Sequence, residues 1–357
     1  MQAAVDTATI RVRGGRRLTG RVPISGAKNA ALPAMAAALL TEEECLLENV
    51  PPLEDVYVMV DLLRWLGAAV EFDEENRRVR ICAKDIHRRE APAELVERMR
   101  ASFLVTGPLL ARFGDVRSTT PGGCKLGSRP VDVDVRGLHR MGANVEQDGS
   151  GYHLEASRLY GTDIYMDYPS HTGTENLLMA ATLARGSTRI INAASEPEIV
   201  SLGSILMDMG ARIQGVGTPH IRIHGVDRLR GYRAAILPDR LEAGAFAIAA
   251  VITGGEVILE RVSEPDMLPL THKIREAGAE VWWSEQEMLV RGNGDLRPAD
   301  IQALPFPGFP TDLQAPFAVL LTQANGQSRI YERVFNDRLR YVAELQNLGA
   351  NIDLVDK

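Results

Sequence analysis

The chain has 357 residues, 45% hydrophobic and 24% charged, a composition that excludes disorder, collagen and coiled coil and suits two or three folded domains. Forty basic against 47 acidic residues give a net charge of −7, which argues against a dedicated nucleic-acid binder, and no apolar run approaches the ~20 residues that span a bilayer. The three cysteines (Cys45, Cys82, Cys124) are odd in number and far apart; they suit a reducing cytoplasm and form neither a disulfide framework nor a zinc spacing.

The first residues carry no basic segment followed by an apolar one, so no secretory signal is expected. Thr9 to Pro23 has strand character and is expected to pair with the far end of the chain. A repeat then begins. Leu66-Gly67-Ala68, Met141-Gly142-Ala143, Met209-Gly210-Ala211, Ala277-Gly278-Ala279 and Leu348-Gly349-Ala350 each close an amphipathic stretch, with glycines 75, 68, 68 and 71 residues apart. Each unit opens with an Ala/Leu-rich helix: Lys28 to Leu40, Arg100 to Phe113, Thr174 to Arg185, Leu241 to Ile252 and Leu313 to Gln323. A β-rich run follows, such as Thr188 to Ile191 or Glu256 to Leu259. A second helix, often opened by Glu-Pro (Glu196-Pro197, Glu264-Pro265), ends at the Gly-Ala pair, where glycine accepts the left-handed conformation of a helix end. Two short strands close the unit, as in Val70 to Cys82 and Ile213 to Ile223.

The unit is therefore βαβαββ, and five starts are visible, the last with one expected strand at Asn351 to Val355. Helices that are apolar nearly all round, such as Ala243 to Ile252, predict helices packed inside and sheets outside.

Several residues carry candidate chemistry. Lys28, in Ser25-Gly26-Ala27-Lys28-Asn29, sits at the start of an Ala-rich helix whose free N–H groups suit an anion; by itself a surface lysine is the blander reading. Cys124 lies among Gly122, Gly123 and Gly127 and beside Arg117, Lys125 and Arg129, cations that lower a thiol pKa, whereas Cys45 and Cys82 read as small buried apolar residues in strands. Arg129 suits bidentate phosphate contact. Thr311 or Asp312 reads as a helix N-cap. Asp239-Arg240 and Arg338 recur at later helix starts, where a surface salt bridge would explain them equally well. Glu196 and Glu198 are expected to cap the second helix of their unit, with Glu198 the better candidate for a polar network. The seven histidines show no metal-ligand spacing; His220 and His224 are four apart in an expected strand, so no metal is expected.

Read in order, Ser25-Gly26-Ala27-Lys28-Asn29-Ala30, Met99-Arg100-Ala101-Ser102, Pro121 to Asp132, Glu196 to Val200, Pro238-Asp239-Arg240 and Pro307-Gly308-Phe309-Pro310-Thr311-Asp312 resemble the UDP-N-acetylglucosamine 1-carboxyvinyltransferase family, from about Ile10 to Ile352. The resemblance implies an inside-out α/β barrel of two pseudo-symmetric domains, here 25–236 (three units) and 1–24 with 237–357 (two units). The family carries a sixth unit beyond the position of Lys357, holding further phosphoenolpyruvate ligands; the sequence is expected to be a fragment or a shortened relative, weak or inactive alone, with exposed apolar helix faces in its second domain.

By the same resemblance the reaction adds a sugar 3′-hydroxyl to C2 of phosphoenolpyruvate and expels phosphate. Cys124 would donate the proton to C3 and be the residue alkylated by fosfomycin. Asp312 would hold the hydroxyl and act as base. Lys28, Asn29, Arg129 and Arg338 would bind phosphoenolpyruvate. Arg100, Arg129, Pro130, Val131, Asp132, Ser170, Asp312 and Val334 would bind the UDP-sugar, Asp132 through the uracil. The family usually carries a smaller residue where this chain has Thr172, beside the uridine pocket. Small-molecule substrates, no cofactor and no nucleic-acid or membrane partner are expected. A non-catalytic UDP-sugar binder and, more weakly, the sister enzyme acting on shikimate phosphate are the alternatives.

Overall fold

The computed structural model describes residues 10–119, 131–149 and 151–355. Four of its five sheets share one plan. An edge strand runs parallel to its neighbour, and two more strands continue the sheet antiparallel. The orders are Arg233–Ala235, Glu44–Glu48, Arg78–Cys82, Ala69–Asp73; Glu90–Ala91, Asp115–Thr119, Gly151–Glu155, Asn144–Gln147; Asp163–Tyr165, Ser187–Ile191, His220–His224, Arg212–Gln214; and Thr19–Pro23, Glu256–Glu260, Glu287–Arg291, Glu280–Ser284. The fifth sheet pairs Ile301–Ala303 with Ile330–Glu332. The expected repeat is thus present as structure. Its helices end where the Gly-Ala pairs stand: Gly67, Gly142, Gly210, Gly278 and Gly349 all have positive φ, between 89° and 112°, which a residue with a Cβ adopts only under strain.

Alternation within the strands explains why the sheets lie outside. Cys45, Leu47, Val79 and Ile81 face the core fully buried, while Glu44, Arg78 and Arg80 between them face water. The outer faces carry cross-strand ion pairs such as Arg78 with Glu48 (3.0 Å). Beneath them, Lys28–Ala37 buries eight of its ten residues and His171–Thr182 ten of its twelve, so side chains pack on nearly every side of these helices. Among the described residues no helix is long and apolar enough to cross a membrane.

Three expectations need correcting. Of the segment Thr9 to Pro23, described from Ile10 onward, Thr19–Pro23 is a strand, and its partner is Glu256–Glu260 rather than the far end of the chain. Asn351 to Val355 forms no strand, having no ladder partner among the described residues. The helix Arg240–Ile252, apolar nearly all round, is not fully enclosed: Ala245 and Phe246 are exposed, as is Val319 on the neighbouring helix Thr311–Leu321. Elsewhere the differences lie at helix ends, the largest being a 3₁₀ segment, Arg100–Val105, ahead of the α-helix Thr106–Phe113.

The buried apolar residues form two clusters, one from Ala27 to Ile236 and one of Ile24 with Ala243 to Leu321. Two chain crossings join them. Ala27 N donates to Leu237 O (2.7 Å), Asp239 N donates to Ser25 O (2.8 Å), and Gly26 bridges Pro238. Gly26 must be glycine here, because a Cβ would stand 1.8 Å from Asn49 O.

Candidate active site at the crossing of the two cores

The singled-out residues that the structure describes fall into four groups. Lys28 opens its helix and stands 2.8 Å from Asp55, itself in the first turn of Glu54–Leu66, and Asn29 follows half-buried. Among the described residues no ion pair joins Lys28 to Asp312, whose partner is Arg338.

Arg100, Val131 and Thr172 line one small cleft with Phe103 and Asp134. Ser170, two residues before Thr172, is the N-cap of the helix His171–Thr182, its hydroxyl accepting from Gly173 N (3.1 Å). Asp132, first residue of the helix Asp132–Arg140, holds Arg136 (2.7 Å), which also reaches Asp167 (3.1 Å). Beneath the cleft Asn176 is fully satisfied: Nδ2 donates to Asp134 Oδ1 and Thr106 Oγ1 (both 2.9 Å), and Oδ1 accepts from Gly107 N (2.7 Å). Burial pushes the Asp134 carboxyl up to about 6, against the Asn176 hydrogen bond and the Arg100 charge, which pull it down.

On the second core, Asp312 is not an N-cap. Pro310 holds that position without a side-chain bond, Thr311 Oγ1 donates to Glu332 (2.7 Å), and Asp312 Oδ1 accepts from Arg338 Nη2 (2.6 Å). Arg338 Nη1 is buried without a hydrogen-bond partner among the described residues. Glu332 also accepts from the backbone N of Val334 (2.7 Å) and of Phe335 (3.1 Å), so Val334 is fixed through its main chain. Burial first, then the charges of Glu196 and Glu332, raise the Tyr168 phenol above its ordinary value.

The fourth group departs from the expected surface roles. Glu196 is the N-cap residue of Pro197–Asp208 but makes no capping bond through its side chain, and Glu198 does not cap either. Glu198 is instead buried and grips Arg240 at two points, Nε to Oε1 at 3.1 Å and Nη2 to Oε2 at 3.4 Å. The side chains are 2% and 10% exposed, so this is no surface salt bridge. Asp239 does cap its helix, accepting from Leu241 N and Glu242 N.

Cys124, Arg129 and Pro130 lie outside the described residues. Cys45 is buried in its strand, and burial pushes its thiol up to about 12; Cys82 is only partly covered. The sequence reading missed His171 and Glu175, whose i, i+4 spacing at a helix start was the available signal. It also missed a cross-strand cluster, Asp115, His153 and Glu155, whose ligand atoms lie within 4.8 Å of one another on the outer face of their sheet.

Residues 12–356 match the EPSP synthase (3-phosphoshikimate 1-carboxyvinyltransferase) family. The chain is 51% identical over 343 residues to UDP-N-acetylglucosamine 1-carboxyvinyltransferase 2 of Carboxydothermus hydrogenoformans, covering 96% of this chain and 81% of that protein. It is 47% identical over 347 residues to UDP-N-acetylglucosamine 1-carboxyvinyltransferase of Sorangium cellulosum (97% and 82%). Among solved structures, the enolpyruvyl transferase NikO from Streptomyces tendae superposes with a TM-score of 0.85 at 23% identity (96% and 81%). EPSP synthase from Acinetobacter baumannii gives 0.69 at 19% (93% and 78%).

Proposed function

This chain belongs to the UDP-N-acetylglucosamine 1-carboxyvinyltransferase family and has the enolpyruvyl transferase fold, and we propose the reaction and the residue roles that follow from that membership. It is a transferase that moves the enolpyruvyl group of phosphoenolpyruvate to the 3′-hydroxyl of UDP-N-acetylglucosamine and releases phosphate. The carrying observation is identity of about half over 96% of the chain to relatives named for that activity; nothing favours a non-catalytic binder.

In the proposed course the hydroxyl oxygen bonds to C2 while C3 takes a proton. The C2–O bond to phosphate then breaks, and C3 returns a proton as the double bond re-forms. A base must take the hydroxyl proton, an acid must serve C3, and cations must hold the phosphate and carboxylate. Asp312 is assigned as base. Arg338 beside it supplies a buried guanidinium with a free donor, which suits an anion. Lys28 and Asn29 at a helix start serve the same anion, with Arg129. Cys124 is assigned as the acid and the fosfomycin target on family resemblance. On family resemblance the UDP-sugar is assigned to Arg100, Val131, Ser170 and Asp132, of which Arg100 and Val131 line the small cleft, together with Pro130 and the main chain at Val334.

We also assign the domains as 25–236 and 1–24 with 237–357, which the two buried clusters support. The step serves peptidoglycan precursor synthesis, and with it cell division, in the cytoplasm. The test is phosphate release by the purified protein. Release that needs both phosphoenolpyruvate and UDP-N-acetylglucosamine, with the enolpyruvyl sugar seen by mass spectrometry, is the expected result. Release with shikimate 3-phosphate in place of the UDP-sugar would reassign the substrate.

A further inference from the structure

His171 stands between the proposed sugar cleft and the contact that joins the two cores. It follows Ser170 and precedes Thr172, which lines the cleft. Its Nδ1 lies 3.6 Å from Glu175 Oε2, one turn along its own helix, and its Nε2 lies 4.0 Å from Glu198 Oε2. Glu198 in turn grips Arg240, the first helical residue after the second crossing. The series Thr172, His171, Glu198, Arg240 therefore runs without a gap from the cleft to the second core.

Charge in this seam is out of balance without the imidazole. Glu196 and Glu198 come from the helix Pro197–Asp208 and its cap, Glu175 from the helix of His171, and Asp239 and Asp266 stand behind Arg240 and Glu198. Arg240 is the cation that opposes the His171 imidazolium among the described residues, where Glu175 Oε1 and Glu196 Oε2 are buried without hydrogen-bond partners. Buried carboxylates in such excess are costly unless protons or cations offset them.

We propose that His171 is a positioning residue whose protonated ring, set between Glu175 and Glu198, keeps Glu198 on Arg240 and so holds the sugar cleft in register with the second core. This rests on the assignment of the cleft to the UDP-sugar. The titration of the seam agrees with the geometry. Burial pulls the His171 imidazolium down, but Glu175, Glu196 and Glu198 outweigh it against Arg240, and the ring sits above its ordinary value. Burial pushes the Glu175 carboxyl up to about 8 against the pull of His171, so that at neutral pH the negative charge facing the ring is that of Glu198 and Glu196. Both groups hold protons more tightly in the folded seam than free in water. Their contribution is present at low pH and is lost as pH rises through the folded values.

The experiment has a kinetic and a structural arm. Wild type, His171→Gln and His171→Lys are compared in kcat and KM for UDP-N-acetylglucosamine from pH 6 to 9, and in hydrogen exchange of residues 196–200 and 240–244. Wild-type KM should rise on the alkaline side. His171→Gln should show KM raised about five- to tenfold already at pH 7, with only the smaller alkaline rise that Glu175 alone supplies and with kcat within about twofold, a coupling of ordinary size. His171→Lys, which keeps a cation, should restore the low KM and hold it at pH 9. Exchange should quicken in both segments together in His171→Gln and not in His171→Lys. A His171→Gln protein with wild-type KM, pH profile and exchange would overturn the proposal. If the protein turns over no UDP-sugar, the substrate reading falls; paired exchange loss would still support the seam, and unchanged exchange would sink it.

Discussion

Arg338 Nη2 lies 2.6 Å from Asp312 Oδ1, while the second terminal nitrogen of the same guanidinium is buried without a partner among the described residues. One side chain thus steadies the carboxylate assigned as base and keeps a donor in reserve for an anion. Asp312→Asn removes the carboxylate proposed as base and keeps its shape. It should lower kcat by about 10²- to 10⁴-fold and leave UDP-sugar binding, read by calorimetry, within a few-fold. Arg338→Lys loses the planar fork and should raise KM for phosphoenolpyruvate more than it lowers kcat. An unchanged kcat in Asp312→Asn would remove that residue from the chemistry.

The thiols should separate cleanly. The Cys45 thiol, buried in its strand and pushed up to about 12, offers almost no thiolate at neutral pH. The Cys124 thiol has Lys125 and Arg129 close by in sequence. Fosfomycin should add its mass to the peptide holding Cys124 and leave the Cys45 peptide unmodified, and Cys124→Ser should abolish the adduct. Modification of Cys45 in the folded protein would contradict its inertness.

Asp134 sets a pH dependence of stability. Its folded value, about 6, lies above the ordinary 3.8, so the folded state binds the proton more tightly than the unfolded chain. The group's contribution is full below about pH 4 and is lost as pH rises to about 6, a change of roughly 3 kcal/mol. Asp134→Asn keeps an oxygen for Asn176 Nδ2 and has no charge to bury. It should match wild type near pH 4 and be more stable at pH 8 by up to about 3 kcal/mol in urea unfolding. A variant less stable than wild type at pH 8 would show that Arg100 depends on the charge more than burial opposes it.

The periodic parts of this molecule could be read from its residues, and the long-range parts could not. A glycine after each amphipathic stretch marks a helix end by local sterics alone, so all five ends stood where Gly67, Gly142, Gly210, Gly278 and Gly349 do. The partner of Thr19–Pro23 lies more than 230 residues away, and no local pattern specifies it. Asp312 resembled a cap because caps and catalytic carboxylates share helix starts, and only Arg338, brought in by the fold, distinguishes them. Glu198 and Arg240 each look like solvated charges in sequence. Their pairing in a buried seam arises from two helices that begin beside the same crossing.

Close packing between inner helices supplies the last prediction. Gly107, in the helix Thr106–Phe113, donates its N–H to Asn176 Oδ1 at 2.7 Å; a Cβ there would stand 2.3 Å from that oxygen and 2.5 Å from Asn176 O. The backbone oxygen belongs to a buried helix and cannot move aside cheaply. Ordinarily Gly→Ala inside a helix stabilises by restricting the unfolded chain, by about 0.4–1 kcal/mol. Here overpacking, typically about 1–3 kcal/mol, should exceed that gain and also disturb the Asn176–Asp134 contact. Gly107→Ala should therefore unfold at lower urea and, because Asp134 lines the cleft, weaken UDP-sugar binding as well. A stabilised Gly107→Ala would mean that the two helices can part without cost, contrary to the packing described.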